Sequence, residues 1–277
     1  MIKTKFRHEI RYWTLMLLVL IRPLRLLLLL LLDLLKGRKR FFYLSRQIRN
    51  AMGIFLVLKK GDVAVQAGVC LDKENSQAFD MARAVGRKGV VIAIEPDPVN
   101  LRKLRKYAKR FRCRFIIVDK ALYSQSGEMT FEIASAKKVN RLDGVPDSKG
   151  WSKNPKHFTH SEKIKVRTES LDNILRDSHI NPGRVRHVNL TINGAEYQAL
   201  KGMTNLLKDS NDLSLTVIAG RRKGKKDDMV YIDGERDKVV IARFLQKFGF
   251  RTKFRSLFHK GSYGYVIATK GNMKRYM

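Results

Sequence analysis

Short apolar runs alternate with helix-like segments from about residue 61 to residue 269. The alternation begins with a β-branched run at 63–65, an amphipathic segment at 75–85 and a second apolar run at 90–94. A strand, a helix and a strand in this order predict a parallel pair joined by a right-handed crossover. The two strand ends, at Gly68 and Glu95, then open toward one crevice, which is where doubly wound sheets bind ligands.

The same alternation continues toward the C-terminus and predicts a three-layer α/β sandwich. We expect further strands at 115–118, 164–167, 185–192 and 213–219, helices at 99–110, 171–175, 196–207 and 239–248, a hairpin over 122–133, and a final antiparallel hairpin made of 251–256 and 263–269. The polar stretch 136–163 has no apolar period, so it predicts a long loop of the kind that forms lids and binding sites.

The first 40 residues follow a different pattern, a leucine-rich run at 12–35 with basic residues on both flanks. A helix of this length would be roughly 36 Å long, enough to span a bilayer. However, Arg22, Pro23 and Arg25 interrupt the run, and the cationic residues fall on one side of the helix. We therefore predict a membrane-associating helix over 1–40, lying in the headgroup plane rather than crossing it, a linker helix over 41–60 and a globular domain over 61–277.

Charge narrows the set of partners. The 57 Lys and Arg residues outnumber 25 Asp and Glu residues and give a formal net charge of +32, a field that concentrates polyanions. The expected partner is an anionic membrane surface that binds residues 1–40, and nucleic acid is the less favoured alternative. The two cysteines, Cys70 and Cys113, form no CxxC pair. We expect a membrane-associated protein with its globular domain in the reducing cytoplasm and with no metal site.

Three residues at predicted strand ends are candidates for ligand contacts. Gly68 lets the backbone approach a ligand closely, and Glu95 can accept both hydroxyl groups of a ribose. Asp119, after the third strand, is placed to meet an adenine amino group. Together they favour a nucleotide-type crevice.

Five segments in order resemble the FkbM-type family of S-adenosylmethionine-dependent methyltransferases, and they span roughly 61–249. These segments read GDVAVQAGVC, VVIAIEPDPVNLRKL, DKALYSQSGEMTFE, RTESLDNIL and VNLTINGAEYQALKGM. The resemblance implies a seven-stranded Rossmann-like methyltransferase sheet whose last two strands form an antiparallel hairpin. It also implies S-adenosylmethionine as cofactor and O-methylation of a glycan, lipid or small-molecule acceptor.

By this resemblance, the chain would be a divergent member of the FkbM-type family. Where the family usually has an acid, a lysine and a second acid, this chain has Gln66, Asn189 and Thr191, and Asn193 replaces a further acid. Asp72 is a candidate replacement for the acid missing at position 66. The predicted cofactor contacts are Gln66, Gly68, Asp72, Glu95 and Asp119.

Methyl transfer from a sulfonium needs mainly in-line positioning, with an optional base for the acceptor hydroxyl. The candidate bases are His157 and His160 in the long loop and Glu196 after a sheet strand. Two alternatives stay open: a protein that keeps the fold but has lost catalysis and only binds, and a basic RNA-directed methyltransferase or binding module. The leucine-rich helix and the absence of an aromatic-rich basic strand motif argue against RNA.

Overall fold

A mixed β-sheet forms the centre of the part of the chain that the structure, a computed structural model, describes. Those residues are 57–69, 71, 76–134, 140–145, 161–220, 231–232, 235–256 and 263–272. The predicted membrane-associating helix over 1–40 lies outside them, as do most of the predicted linker helix and the residues Asp72, His157 and His160. Of the described end of that linker, 57–60, only Val57 is helical.

Thirteen strands and six helices follow one another in the described residues. The strands are β1 (Val63–Ala67), β2 (Val90–Ile94), β3 (Arg114–Val118), β4 (Ala121–Leu122), β5 (Gly127–Ile133), β6 (Arg141–Leu142), β7 (Glu162–Glu169), β8 (Val185–Leu190), β9 (Ser214–Gly220), β10 (Tyr231–Ile232), β11 (Glu235–Arg236), β12 (Arg251–Ser256) and β13 (Tyr263–Thr269). The helices are α1 (Gln77–Val85), α2 (Pro98–Ala108), α3 (Leu171–Asp177), α4 (Glu196–Lys201), α5 (Thr204–Asp209) and α6 (Asp237–Gln246), and a short 3₁₀ turn covers Pro182–Arg184.

Seven of these strands form the main sheet in the order β3-β2-β1-β8-β9-β13-β12. β3, β2, β1, β8 and β9 are parallel, whereas β13 runs antiparallel to both of its neighbours. This confirms the predicted seven-stranded methyltransferase-type sheet with its C-terminal antiparallel hairpin. β1 and β2 are buried at every position, as expected for central parallel strands covered on both faces.

Local sequence determines how the two helices beside β1 and β2 begin. Ser76 caps α1 by accepting a hydrogen bond from the amide of Ala78 at 3.3 Å. Asp97 caps α2 by accepting from the amide of Val99 at 2.7 Å, and Pro98 occupies the first helical position. Both helices therefore start at the carboxyl edge of the sheet, where the predicted crevice lies.

The predicted hairpin over 122–133 is wrong. β4 and β5 do not pair with each other; they lie on opposite sides of β7 in a second sheet of order β4-β7-β5-β6. β4 has only two residues, too few for a stable ladder with β5, whereas β7 offers eight residues that pair with β5 along its whole length. β6 also lies within the stretch that was predicted to be a loop.

The predicted single helix over 196–207 is two helices, α4 and α5, separated at Gly202. A Cβ on Gly202 would lie 2.3 Å from the carbonyl oxygen of Tyr123. Glycine is thus required at position 202 because the chain that follows β4 passes close to it. The periodicity of the sequence does not predict this contact. Among the described helices, none is both long and apolar enough to cross a membrane.

Candidate functional site

The turn after β1 comes very close to the turn after β8. Gly68 has a φ of 76°, and its amide donates to the carbonyl of Ile94 at 3.0 Å. A Cβ on Gly68 would lie 2.2 Å from the carbonyl oxygen of Thr191. Glycine is needed here both for the left-handed backbone and for the space. Gly68 therefore allows the turns after β1 and β8 to pack backbone against backbone, and its contact with a ligand stays a prediction.

Glu95 follows β2 and turns its carboxylate toward this glycine turn. Oε2 accepts from the amide of Val69 at 2.6 Å, and Oε1 accepts from the amide of Asp97 at 3.0 Å. Burial raises the pKa of Glu95 to about 7, although these two amides oppose the shift. Each carboxylate oxygen can accept more than one hydrogen bond, so the two amides position Glu95 without exhausting its acceptor capacity.

Asp119 follows β3 at the same edge of the sheet. Ile94 pairs with Val118 across β2 and β3, and the amide of Glu95 donates to the carbonyl of Val118 at 3.1 Å. The Asp119 side chain is 53 % exposed and lies 3.4 Å from a guanidinium nitrogen of Arg105. Three successive strands thus present Gly68, Glu95 and Asp119 along one edge, in the order that the sequence analysis gives.

Gln66 is the centre of a buried network of neutral groups. Its Nε2 lies 2.9 Å from the carbonyl oxygen of Gly68 and 3.1 Å from Oγ1 of Thr191, and its Oε1 accepts from Nδ2 of Asn189 at 2.7 Å. The same Nδ2 lies 2.7 Å from Oε1 of Gln77. The departures at positions 66, 189 and 191 are therefore one spatial cluster, a fact that their separation in the sequence conceals.

This network contains one acceptor without a partner. Oδ1 of Asn189 is buried and makes no hydrogen bond to any group in the described part of the chain. A buried amide oxygen of this kind is costly unless something donates to it. The unpaired Oδ1 is therefore a local cost of asparagine at position 189.

Glu196 closes the turn after β8. Its carboxylate accepts from the amide of Ile192 at 3.0 Å and from that of Gly194 at 2.7 Å, and the residue is buried. Asn193, between them, adopts a φ of 57°. These contacts hold the turn in shape, and a role for Glu196 as a base stays a prediction.

Asn140 connects two sides of the crevice and was not predicted. Its Nδ2 donates to Oδ2 of Asp97 at 2.8 Å, and its carbonyl oxygen accepts from Nδ2 of Asn193 at 2.8 Å. Asn140 thereby joins the turn after β2 to the turn after β8. No sequence signal pointed to this bridge, because Asn140 lies in an aperiodic polar stretch.

Another buried carboxylate, Glu169 at the end of β7, was also missed. Burial alone would raise its pKa, but hydrogen bonds from Ser126, Asn173, Lys120 and the Ser170 amide outweigh burial and bring the pKa to about 2. Glu169 is therefore ionised at neutral pH. It anchors the chain after β3, through Lys120, to the start of α3.

The described residues fit S-adenosylmethionine at several points. Ribose hydroxyls suit the carboxylate of Glu95, and an adenine amino group suits Asp119. At the amino-acid end the cluster offers the neutral Gln66 and the unpartnered Oδ1 of Asn189 instead of an acid. Within the ranges that the structure describes, no group of three or more His, Cys, Asp or Glu residues could hold a metal ion.

One comparison with known proteins identifies the type of domain. A sequence model described as the methyltransferase FkbM domain matches residues 62–251. A search of curated proteins found no match to the chain.

Several solved structures are similar to the chain at low sequence identity. Aeropyrum pernix fibrillarin with bound S-adenosyl-L-methionine is 13% identical over 80% of this chain and 74% of its own, with a TM-score of 0.44. A methyltransferase from Geobacter sulfurreducens is 12% identical over 80% of this chain and 78% of its own, with a TM-score of 0.42. A SAM-dependent methyltransferase from Aquifex aeolicus is 14% identical over 76% of this chain and 84% of its own, with a TM-score of 0.38.

Proposed function

The chain belongs to the FkbM family of S-adenosylmethionine-dependent methyltransferases, and on that premise we propose that it methylates an oxygen of a glycan, lipid or small-molecule acceptor at a membrane surface. The observation that carries the proposal is the position of the Glu95 carboxylate beside the Gly68 turn. Two backbone amides hold this carboxylate at 2.6 and 3.0 Å, and a carboxylate at the end of this strand suits ribose hydroxyls.

The residues of the chain have mainly a positioning role in this reaction. S-adenosylmethionine supplies a methyl group on a positively charged sulfur, and transfer depends on in-line placement of the acceptor oxygen. Gly68 permits the left-handed turn after β1, Glu95 would receive the ribose hydroxyls and Asp119 would receive the adenine amino group. Glu196, His157 and His160 are the candidate bases for the proton that leaves the acceptor oxygen.

Membrane association is the part of the proposal that rests on residues 1–40. Their leucine-rich run with a cationic stripe suits an in-plane helix on an anionic membrane. The scarcity of cysteine suits a reducing compartment, so the methyltransferase domain would lie on the cytoplasmic side.

A second candidate function is binding without catalysis. It is favoured by the buried Gln66–Asn189–Thr191 cluster, in which amides and a hydroxyl hydrogen-bond to one another where the family pattern has charged groups. A site of this kind could keep the fold while holding the cofactor too weakly for turnover.

Calorimetric titration of the full chain with S-adenosylmethionine tests the cofactor site. We expect binding by the wild type, binding that is weaker by about tenfold or more for Glu95→Gln, and unchanged binding for Glu128→Gln, an exposed glutamate on β5 that serves as the matched control. Absence of binding by the folded wild type would contradict the proposed methyltransferase activity.

A transfer assay separates the two candidate functions. The full chain would be incubated with methyl-labelled S-adenosylmethionine and, in parallel, with oligosaccharide, glycolipid and phospholipid acceptors. Label in one acceptor class supports the methyltransferase. Cofactor binding without label in any acceptor class favours binding without catalysis.

A further inference from the structure

The amino edge of the main sheet lies opposite the crevice. The amide of Val90 donates to the carbonyl of Asp62 at 3.0 Å, the amide of Arg114 to the carbonyl of Gly89 at 3.2 Å, and a guanidinium nitrogen of Arg184 to the carbonyl of Gly61 at 3.0 Å. These bonds bring the segments before β1, β2, β3 and β8 together on one edge. Gly68, Glu95 and Asp119 lie at the other ends of β1, β2 and β3.

Exposed cations crowd this edge and form what we call the basic edge, consisting of Lys59, Arg87, Lys88, Lys109, Arg112 and Arg114. None of the six pairs with an acid among the described residues. Asp62 lies beside Lys59 and accepts from its backbone amide at 2.7 Å, and Asp80 pairs with Arg83 at 3.0 Å. The basic edge therefore presents a nearly uncompensated positive surface.

Aromatic side chains lie next to these cations. Phe111 is half-buried, stacks on Phe79 with ring centroids 5.0 Å apart, and carries the Arg83 guanidinium 5.3 Å from its centroid. Arg110 lies 4.6 Å from the ring centroid of Tyr107. With Phe79 and Arg83 packed against it, Phe111 is poorly placed to stack on a base, which single-stranded nucleic acids would require. Cations interleaved with half-buried aromatic rings are typical of surfaces at lipid headgroup level.

The connectivity of the chain points to the same partner. The leucine-rich segment at 12–35 and its basic flank precede the domain, and the chain enters the domain through Val57 and Lys59, at the basic edge. We infer that the basic edge lies against anionic phospholipid headgroups, so that the crevice opens away from the membrane. The inference rests on the membrane attachment in the proposed function and adds an orientation to it.

This orientation narrows the class of acceptor. Strands of five residues separate the basic edge from the crevice by about 16 Å. A phospholipid headgroup beneath the domain cannot reach that far. The acceptor is then a glycan that extends from the membrane or a soluble small molecule, and a membrane lipid's own headgroup is excluded.

Lysine footprinting of the full chain on vesicles tests the orientation. Vesicles of phosphatidylcholine alone and of phosphatidylcholine with phosphatidylserine would first be tested for flotation with the protein, and the bound protein would then be acetylated and analysed by mass spectrometry. On the phosphatidylserine vesicles we expect acetylation of Lys59, Lys88 and Lys109 to be about fivefold or more lower than in the protein without vesicles. Acetylation of Lys163 and Lys165, which are exposed on β7, should not change.

A pair of triple variants with equal loss of charge supplies the control. Arg87→Gln, Arg112→Gln and Arg114→Gln together should abolish protection of Lys88 and Lys109 while flotation persists. Lys163→Gln, Lys165→Gln and Arg167→Gln together should leave that protection intact.

Three results would overturn the inference, and each has a different meaning. If the chain floats but acetylation of Lys59, Lys88 and Lys109 falls no more than that of Lys163 and Lys165, the orientation is refuted and the membrane attachment is kept. Failure of the full chain to float refutes the attachment itself, and the orientation with it. Protection of Lys88 and Lys109 by a short RNA, but not by phosphatidylserine vesicles, identifies the basic edge as a nucleic-acid surface.

Discussion

Asn189 donates its side-chain amide to Oε1 of Gln66 across 2.7 Å, so β1 and β8 are joined beneath the crevice by two neutral groups. Thr191 extends the contact, because its hydroxyl lies 3.1 Å from Nε2 of Gln66. These are three of the positions at which the chain departs from the family pattern. Their mutual contact places two amides and a hydroxyl together at one point beneath the crevice.

The contact predicts strong coupling between positions 66 and 189. Gln66→Glu alone buries a carboxylate against the carbonyls of Ala67 and Gly68, which now accept from Nε2, and we expect a loss of about 2–4 kcal/mol in the free energy of unfolding. Adding Asn189→Lys supplies a counter-charge and should recover at least about 1 kcal/mol. A double-mutant cycle by urea denaturation measures the coupling. Additive effects of the two substitutions would show that the side chains do not interact.

Gly68→Ala tests the close approach of the turns after β1 and β8. The added methyl group would meet the carbonyl oxygen of Thr191, and the φ of 76° costs a further ~1–2 kcal/mol, so we expect a loss of more than about 3 kcal/mol and no cofactor binding. Gly61→Ala is the matched control, since Gly61 has a φ of 93° but open space around its Cβ. Thermal unfolding of both variants gives the comparison, and equal losses would argue against steric contact at Gly68.

Glu95 makes folding stability depend on pH. Burial raises its pKa from 4.5 to about 7, so the folded state favours the protonated form. The stability that this group contributes is fully present below pH 4.5 and is lost as the pH rises through about 7, a change of about 3 kcal/mol. In Glu95→Gln this component disappears. Between pH 4.5 and pH 8, the free energy of unfolding of the wild type should therefore fall by about 3 kcal/mol relative to that of Glu95→Gln. Denaturation of both proteins at the two pH values measures this, and parallel pH profiles would contradict it.

His187, buried on β8, has the opposite effect. Burial lowers its pKa to about 4, against an opposing backbone hydrogen bond at Ser214. Its stability contribution is present above pH 6.5 and is lost as the pH falls toward about 4. Between pH 4.5 and 6.5 this contribution offsets that of Glu95, so the free energy of unfolding of the wild type should change little with pH in that range. His187→Gln should expose a loss of stability with rising pH, measured by denaturation across that window; a profile like that of the wild type would count against this assignment.

Cofactor affinity should rise with pH in the wild type. Ribose hydroxyls donate to an ionised carboxylate, so S-adenosylmethionine favours the deprotonated form of Glu95, and binding below the pKa of about 7 requires release of that proton. We expect about tenfold tighter binding at pH 8 than at pH 6, and little change for Glu95→Gln. Calorimetry at the two pH values measures this, with Glu128→Gln expected to follow the wild type. A wild-type affinity that is independent of pH would place the ribose elsewhere.

The sequence was sufficient for the features that depend on local periodicity. The strand–helix–strand unit around β1 and β2, the acid at the end of each of β2 and β3, and the C-terminal hairpin all leave a pattern within a few residues. Parallel pairing and right-handed crossovers then bring the strand ends, and with them Gly68, Glu95 and Asp119, to one edge.

Features that depend on contacts between distant segments were not predictable in this way. The pairing of β7 between β4 and β5, the break at Gly202 against Tyr123, and the bridge through Asn140 all require the register of segments far apart in the sequence. No periodicity encodes such a register. For the same reason, the positions 66 and 189 were recognisable as departures from the family but not as neighbours.

The strand order also has a consequence for biogenesis. Val63 of β1 pairs with Val90 on one side and with Val185 on the other. During synthesis, β1 can therefore pair with β2 long before the residues of β8 have been translated. β1, β2 and β3 can assemble while the C-terminal half is still being synthesised, but β1 keeps an open edge until β8 emerges from the ribosome. An unpaired edge on a strand that is buried at every position in the folded domain is prone to aggregation. We therefore expect the chain to be most exposed to aggregation between the translation of β3 and that of β8.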